Sequence, residues 1–335
     1  MLKYKSCIAL LLICLILLST LASCEKNGTL PENESPDHSS SSDVAGGNFP
    51  YSFTDSAQRL VTLEKKPEKV AILFSSFADI WQIAGGKTDI TVGEAVERGF
   101  ADDTAVLVDS GSGHTTIDLE TLIGSEPDLV IGTADYPCQR DAVTFCDSVG
   151  IPSAMFRVES IDDYISVLEI MCNITGNTES FKTYGTDIKQ RAEDIIAAVN
   201  DADAEKKTVL FVRAGSSAKS TKAKTTDDNF ACRMLSEIGT VNIADSDTEL
   251  TGSLSIEAIV EENPDFLFIT TMGDEEAAKD YMESLLKTEG WRELDCVKDG
   301  NYYFLPKDYF HYKPNAHWAD AYEYLADIIY PELKK

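Results

Sequence analysis

Several cations lie close together in a chain that is otherwise strongly acidic. The sequence has 57 Asp and Glu residues against 29 Lys and Arg, and a net charge of −28. The basic residues in question are Arg213, Lys219, Lys222, Lys224 and, in the first half of the chain, Arg98. Cations that gather against the overall charge are typical of a site for an anionic ligand or an anionic group of a ligand. For the lysines a solvated basic loop is an equal alternative, and the overall acidity argues against nucleic acid as a partner.

Aromatic and imidazole side chains could stack on the same ligand. They are Tyr136, Tyr309, His311 and Tyr312. Phenolate and imidazole groups also suit iron, so Tyr309 and His311 could reach a metal that is carried within a complex. A bare metal ion would need three or four converging His and carboxylate ligands, which His114 and His311 alone do not supply. We therefore expect no direct metal site and no resident cofactor.

The motifs of several common enzyme classes are missing. Gly86-Lys87-Thr88 matches the end of a phosphate-binding loop, but Trp81 stands where that motif needs its first glycine. The stretch from Asp109 to His114 is rich in Gly and Ser, but it lacks the residue order of a serine nucleophile elbow. The sequence therefore favours a binding protein over an enzyme.

An internal repeat indicates which elements position these side chains. Residues 118–131 contain DLETLI and then PDLVI, residues 255–269 contain SIEAIV and then PDFLFI, and the two align without a gap. Each copy predicts a short amphipathic helix, a Pro-Asp turn and an apolar strand without polar alternation, as in a parallel strand covered on both faces. Each half also begins with an apolar run, at 69–74 and at 208–212. The repeat therefore predicts two α/β lobes.

A long amphipathic helix is predicted between the two copies, from Asn177 or Thr178 to about Asn200. Its apolar positions recur every three or four residues, and Asn177 after Gly176 supplies an N-cap after a helix break. At 1.5 Å per residue it spans roughly 35 Å, enough to join two lobes rigidly. The predicted fold class is α/β, with two doubly wound, Rossmann-like lobes (residues 49–176 and 203–335) joined by one long helix (residues 177–202).

The predicted sheets select the loops that could hold a ligand, because open parallel sheets bind ligands beyond the carboxyl ends of their strands. This rule selects the loops 75–77, 94–100, 110–116 and 133–136 of the first lobe, and 213–228, 245–253, 270–274 and 307–314 of the second. The candidate ligand-binding residues on these loops are Ser75, Ser76, Arg98, His114, Tyr136, Arg213, Lys222, Tyr309 and His311.

The first residues have the pattern of a targeting segment. Lys3 and Lys5 precede an apolar run at 8–18, and the LASC sequence ending at Cys24 is typical of a bacterial lipoprotein signal, which predicts removal of residues 1–23 and lipidation of Cys24. Residues 24–48 are rich in Ser, Asn, Pro and acidic residues, so we expect a disordered tether. The protein is then expected at the cell membrane, lipid-anchored on its extracytoplasmic face. The cysteines beyond Cys24 have no paired spacing, so neither a disulfide framework nor a zinc site is predicted.

Taken together, these features resemble the substrate-binding lipoproteins of ABC importers for iron complexes and cobalamin. The resemblance is carried by the lipoprotein signal and tether, the strand KVAIL at 69–73, the Gly85-Gly86 helix end, both repeats, the long helix, FACRML at 230–235 with Gly239 and Asn242, and YPE at 330–332. It covers nearly all of residues 49–333. It implies a monomer with a cleft between two lobes that move little, and a siderophore, haem or a corrinoid as the ligand.

The resemblance also implies a partner, the dimer of an ABC permease with its ATPase subunits. In that family the Glu of the helix before Pro-Asp docks onto arginines of the permease, and Glu120 and Glu257 occupy this place in the two copies. Each carboxylate could instead only compensate the dipole of its helix N-terminus. The favoured function is that of a protein that delivers an iron complex to the permease. The alternatives are a cobalamin-binding protein of the same family and a metallocofactor enzyme of chelatase-like fold.

Overall fold

The computed structural model describes residues 47–110, 116–202, 205–246 and 248–334, so the predictions for Cys24, the tether up to residue 46 and His114 lie outside the described residues. The strands are β1 (Tyr51–Thr54), β2 (Leu60–Leu63), β3 (Val70–Ile72), β4 (Ile90–Thr91), β5 (Val106–Leu107), β6 (Leu129–Thr133), β7 (Ser153–Phe156), β8 (Thr208–Ala214), β9 (Lys222–Ala223), β10 (Val241–Asn242), β11 (Phe266–Thr271) and β12 (Tyr302–Phe304). The helices are α1 (Ser75–Ile83), α2 (Gly93–Glu97), α3 (Leu119–Gly124), α4 (Pro137–Ser148), α5 (Ile161–Thr175), α6 (Thr178–Phe181), α7 (Asp187–Asp201), α8 (Phe230–Glu237), α9 (Thr248–Ser253), α10 (Ile256–Glu262), α11 (Glu275–Leu286), α12 (Asp295–Lys298), α13 (Lys307–Phe310) and α14 (Trp318–Ile329).

Two parallel sheets form the centres of the two halves of the chain. The first has the strand order β5-β4-β3-β6-β7, and all of its pairs are parallel. The second has the order β10-β8-β11-β12, also parallel, with the short β9 antiparallel to β8. Strands β3, β6 and β11 are buried along their whole length, as expected for strands covered on both faces. The predicted α/β fold class is thereby confirmed; we call the parts around the two sheets the N lobe and the C lobe.

The Pro-Asp repeat has one structural role in both lobes. Asp128 accepts hydrogen bonds at 3.0 Å from the backbone N–H groups of Glu68 and Lys69, just before β3. Asp265 accepts hydrogen bonds from the N–H of Thr208, at 2.7 Å, and from its hydroxyl, at 3.0 Å, at the first residue of β8. Each aspartate therefore joins the start of its own strand to the start of the first strand of its sheet. This shared task explains why the sequence repeats.

The long helix lies close to its predicted bounds. Asn177 caps α6 by accepting a hydrogen bond from the N–H of Ser180 at 3.1 Å. A π-helical turn, Lys182–Thr186, connects α6 to α7, which ends at Asp201. Within this turn Gly185 is buried, and a Cβ there would lie 3.1 Å from the ring of Phe181. The extra residue of a π turn rotates the helix face, so Tyr184, which was expected in the buried stripe, is 40 % exposed.

One hydrophobic core extends beneath both sheets. It includes Phe77 of the N lobe, Phe211 of the C lobe and Trp318 of α14, which is fully buried. Helix α14 packs along α7, and Arg191 of α7 is paired with Asp320 and Glu323 of α14. The described residues therefore belong to one compact unit. No helix in the described ranges is long and apolar enough to cross a membrane.

Several segments predicted as loops contain short elements, and these predictions were wrong. Ser75 and Ser76 form the first turn of α1, which begins three residues before its predicted start, and the loop 94–100 contains most of α2. Helix α13 occupies part of the loop 307–314, and β9 part of the loop 213–228. Elements of two to five residues carry too little periodicity to be detected from sequence. Strands β1 and β2 form a separate antiparallel pair that joins neither parallel sheet.

Candidate ligand-binding site

Each sheet has one point where the chain changes direction across it. In the N lobe this point lies between β3 and β6, which are followed by Ser75 and Tyr136. In the C lobe it lies between β8 and β11, where Arg213 and Thr270 are directly paired in register. Such switch points form crevices at the carboxyl ends of the strands. The topology therefore assigns a candidate site to this edge of both sheets.

The N-lobe side of the site is a hydrogen-bonded group of Ser75, Glu94 and Arg98. The Ser75 hydroxyl donates a short hydrogen bond to the Glu94 carboxylate and accepts one from Nη1 of Arg98 at 3.0 Å. Nη1 of Arg98 also lies 3.5 Å from the hydroxyl of Ser76. Helix α1 supplies the two serines and α2 supplies Glu94 and the C-cap residue Arg98, so the first two βα connections of the sheet build this group together.

Arg98 also bridges the two lobes. Its guanidinium carbon lies 3.8 Å from the ring centroid of Tyr312, on the segment that follows α13, and 4.7 Å from that of Phe100. Stacking of a guanidinium on an aromatic face is favourable, and more so away from water. Burial raises the pKa of Tyr312, Glu94 raises it further, and Arg98 lowers it. Arg98 is therefore held by a hydroxyl, by two rings and by the field of a nearby carboxylate.

Tyr136 of the N lobe and Arg213 of the C lobe are close enough to interact electrostatically. Burial raises the pKa of Tyr136, the carboxylates of Asp135 and Glu94 raise it further, and Arg213 lowers it. The side chain of Tyr136 packs edge-on against Phe74, with ring centroids 5.9 Å apart. Arg213 comes from β8 of the opposite lobe. Residues from both switch points therefore lie within electrostatic reach of one another.

Buried polar atoms on the C-lobe side lack partners. Nε of Arg213 and the hydroxyl of its register neighbour Thr270 are buried, and neither has a hydrogen-bond partner among the residues that the structure describes. Buried polar atoms without a partner are unusual in folded proteins, and each calls for a physical explanation. A carbonyl or anionic group of a ligand would be a suitable acceptor for both.

The remaining candidates have different surroundings. Lys222 donates a hydrogen bond to the carbonyl of Gly252 at 2.6 Å. Tyr309 is half-buried and stacks on His317, with ring centroids 5.6 Å apart, and His311 packs edge-on against Tyr312 at 5.0 Å. Among the described residues no group of three or more His, Cys, Asp and Glu side chains could hold a metal ion. The cysteines from Cys138 to Cys296 form no disulfide with one another.

A short segment of the C-terminal half, residues 312–315, is attached to the N lobe at three places and is here called the strap. Tyr312 stacks on Arg98, and Lys313 forms an ion pair of 2.8 Å with Glu159. Asn315 is fully buried and donates hydrogen bonds of 2.8 Å to the carbonyl of Ser76 and to the carboxylate of Asp79. Its φ of +50° lies in the left-handed region. The strap therefore ties this part of the C-terminal half to the N lobe.

Glu94 and Thr270 are site residues that the sequence did not single out as ligand contacts. Glu94 lies in a helix of five residues, and its importance follows from contacts with Ser75 and the two tyrosines. Tyr312 was noted among the aromatic residues, but its position over Arg98 depends on the approach of the two lobes. The signal that was available is its place in a loop after a predicted strand, between His311 and Lys313.

The two glutamates of the repeat occupy equivalent, exposed positions. Glu120 lies in the first turn of α3, which Asp118 caps, and Glu257 in the first turn of α10, which Ser255 caps. In parallel α/β units the helix N-termini lie at the same edge as the strand carboxyl ends. Both carboxylates therefore lie at the edge of their lobe that carries the cleft.

Comparison with known proteins agrees with this architecture. Residues 70–309 match the family described as Periplasmic binding protein. A curated relative, the "Cobalamin-binding protein" of Halobacterium salinarum, is 27 % identical over 234 residues; the match covers 68 % of this chain and 60 % of the relative, so the chain spans less than two thirds of the relative's length.

Solved structures of low sequence identity share the fold. The vitamin B12 binding protein BtuF of Vibrio cholerae has a TM-score of 0.63 and 19 % identity, with 81 % of this chain and 99 % of BtuF covered. The periplasmic heme-binding protein RhuT from Roseiflexus sp. RS-1 has a TM-score of 0.64 and 14 % identity, with 80 % and 99 % covered. This family consists of extracytoplasmic binding proteins that carry ligands, so the expectations of a binding protein rather than an enzyme, without a resident cofactor, are confirmed. The chain belongs to the family described as Periplasmic binding protein, and it shares the fold of these solved structures.

Proposed function

We propose that this protein is a lipid-anchored, monomeric binding protein that captures a metal complex between its N lobe (residues 49–176) and C lobe (residues 203–335) and delivers it to an ABC permease. The proposed ligand is an iron complex, with a siderophore or haem as the chelating part. The residues proposed to line its site are Ser75, Ser76, Arg98, His114, Tyr136, Arg213, Lys222, Tyr309 and His311. The observation that carries the proposal is the pair of register neighbours Arg213 and Thr270 at the switch point of the C lobe, whose buried Nε and hydroxyl have no hydrogen-bond partner among the described residues.

Cobalamin is the second candidate ligand. The curated relative carries its name, and one protein of the same fold is described as a vitamin B12 binding protein. To decide between the two, the purified protein is incubated with an equimolar pool of ferric siderophores, haem and cobalamin, washed, and examined by native mass spectrometry and absorbance. Retention of one metal complex, at one equivalent per protein, supports the proposed binding function and identifies the ligand. Retention of none, with a correctly folded protein, contradicts it.

Docking on the permease is assigned to Glu120 and Glu257. Their equivalent positions on the two lobes would let one carboxylate from each lobe meet a symmetric partner, and charge-assisted contacts of this kind orient a complex. We expect Glu120→Ala with Glu257→Ala to leave ligand affinity within about twofold, because both side chains are exposed in the first turn of their helices, yet to abolish ligand-stimulated ATP hydrolysis by the reconstituted importer. Stimulation equal to wild type would leave these residues only a role at the helix N-termini.

The anchor is assigned to Cys24. The sequence that ends there has the order of a lipoprotein signal, and residues 24–48 would hold the folded part away from the membrane. In the host, Cys24→Ala is expected to remain unprocessed and unlipidated, which metabolic labelling with a palmitate analogue would detect. Normal processing and labelling of that variant would exclude Cys24 as the anchor.

A further inference from the structure

The charges around the cleft indicate the class of complex that fits it. Resting on the proposed function, we infer that this site selects metal complexes whose net charge is zero or one negative, and rejects polyanionic complexes such as a ferric triscatecholate. The inference rests on how each cation at the cleft is already used, and on which carboxylates lie beside them.

Arg98 is neutralised within its own lobe. Its Nη1 donates to Ser75, and Ser75 in turn donates to Glu94, so one carboxylate and one guanidinium share a single hydroxyl. The ring of Tyr312 covers the guanidinium face at 3.8 Å. A ligand anion would have to displace this ring and compete with Glu94. The charge of Arg98 is therefore of little use to an anionic ligand in this arrangement.

The lysines on the facing loops are also engaged. Lys222 donates to the carbonyl of Gly252, and Lys224 forms a short ion pair with Asp228. Lys307 lies 3.7 Å from Glu275, and Lys313 lies 2.8 Å from Glu159. Lys219 has an exposed side chain on the loop after β8, so solvent screens its charge. None of these lysines offers a desolvated positive charge to a ligand.

Arg213 differs from these cations because it is partly buried, its Nε has no acceptor, and no ion pair is formed by it in the described part of the chain. Glu94 and Arg98 compensate each other through the hydroxyl of Ser75, so this pair adds no net positive charge to the same space. A complex with one anionic or carbonyl group could satisfy Arg213. Further negative charges on the complex would lose their hydration beside Glu94 without meeting a cation, which is unfavourable.

The test compares probes of similar size and different charge. Affinities for a neutral ferric trihydroxamate, for neutral cyanocobalamin and for the trianionic ferric triscatecholate are measured by isothermal titration calorimetry at low salt. We expect at least one neutral probe to bind at least about a hundredfold more tightly than the trianionic probe, in line with the cost of burying unpaired charge. Tightest binding of the trianionic probe would overturn the inference and leave the proposed function intact. If neither these three probes nor haem binds, the proposed function itself is overturned.

A pair of variants tests the role of Glu94 directly. Glu94→Gln removes the carboxylate that compensates Arg98, so we expect affinity for the trianionic probe to rise by at least about fivefold, with a smaller change for the neutral probes. Glu97→Gln removes the same charge from an exposed position of the same helix and should alter no affinity by more than about twofold. Equal effects of the two variants would show that the general field, and not the Ser75 contact, sets the preference, and would contradict the inference.

Discussion

Arg213 is expected to bind ligand at the expense of the stability of the unliganded protein. Its Nε is buried and has no acceptor in the part of the chain that the structure describes, and such a group costs about 1 to 3 kcal/mol of folding free energy relative to a satisfied one. Replacement by methionine keeps an unbranched apolar stem in the same space and removes the unsatisfied donor. We therefore expect Arg213→Met to unfold in urea with a free energy equal to wild type or higher by about 1 kcal/mol.

Ligand affinity should change in the opposite direction. A charge-assisted hydrogen bond is worth about 1.5 to 3 kcal/mol, which corresponds to a loss of about tenfold to a hundredfold in affinity. The two quantities are measured by urea unfolding followed by circular dichroism without ligand, and by calorimetric titration with the ligand identified in the pool experiment. Arg292→Met is the control, because Arg292 is exposed in the same lobe and should change neither quantity.

The result that would refute this reasoning is a destabilised apoprotein. If Arg213→Met lowers the free energy of unfolding by more than about 1 kcal/mol, the arginine contributes to the fold, and its buried Nε is satisfied in solution. Unchanged affinity in a stable variant would instead remove Arg213 from the binding site.

Three further predictions concern the strap and two carboxylates. Asn315→Ala should lower the free energy of unfolding by about 1 kcal/mol more than Asn315→Gly. Both variants lose the hydrogen bonds to Ser76 and Asp79, but only alanine is strained at a φ of +50°. Equal losses of the two variants in urea unfolding would contradict this. Burial alone would raise the pKa of Asp128, but hydrogen bonds from the N–H groups of Glu68 and Lys69 lower it overall. The Asp128 carboxylate therefore stabilises the fold fully above pH 3.8, its ordinary pKa, and this stabilisation is lost as the pH falls through the lowered pKa. The difference in unfolding free energy between wild type and Asp128→Asn should close in that acid range. Burial raises the pKa of Asp79, and the hydrogen bond from Asn315 lowers it only in part. The folded state therefore holds a proton on Asp79 more tightly than the unfolded chain does. Asp79→Asn should consequently gain stability over wild type near neutral pH, and a titration of melting temperature should show this gain shrinking as the pH falls toward 3.8; a constant gain would be the contrary result.

The large elements could be predicted from the sequence because each carries its own signal. The buried runs of β6 and β11, the Pro-Asp turns before them and the long helix from Asn177 onward all follow from local patterns. Arg213 was identified in the same way, since it directly follows an apolar run. Its place at the carboxyl end of β8, beside the switch point of the second sheet, then follows from the sheet topology.

The rest of the site depends on contacts between distant segments. Glu94 and Arg98 share the hydroxyl of Ser75, which lies about twenty residues earlier in the chain, and no local pattern specifies that meeting. The same holds for Asn315, whose partners Ser76 and Asp79 are more than 230 positions away. Helix α2 is too short to produce a periodic signal. The π turn at Lys182–Thr186 likewise depends on how Gly185 packs, and the spacing of apolar residues gives no sign of it.

The strap has a consequence for the thermodynamics and the timing of ligand exchange. Because a stack, an ion pair and a buried amide fix residues 312–315 within the fold, much of the conformational entropy of this segment is lost on folding and not on binding. Release then requires either a ligand that slides out of an unchanged opening or the joint rupture of these contacts, so the dissociation rate, more than the association rate, should report on the integrity of the strap.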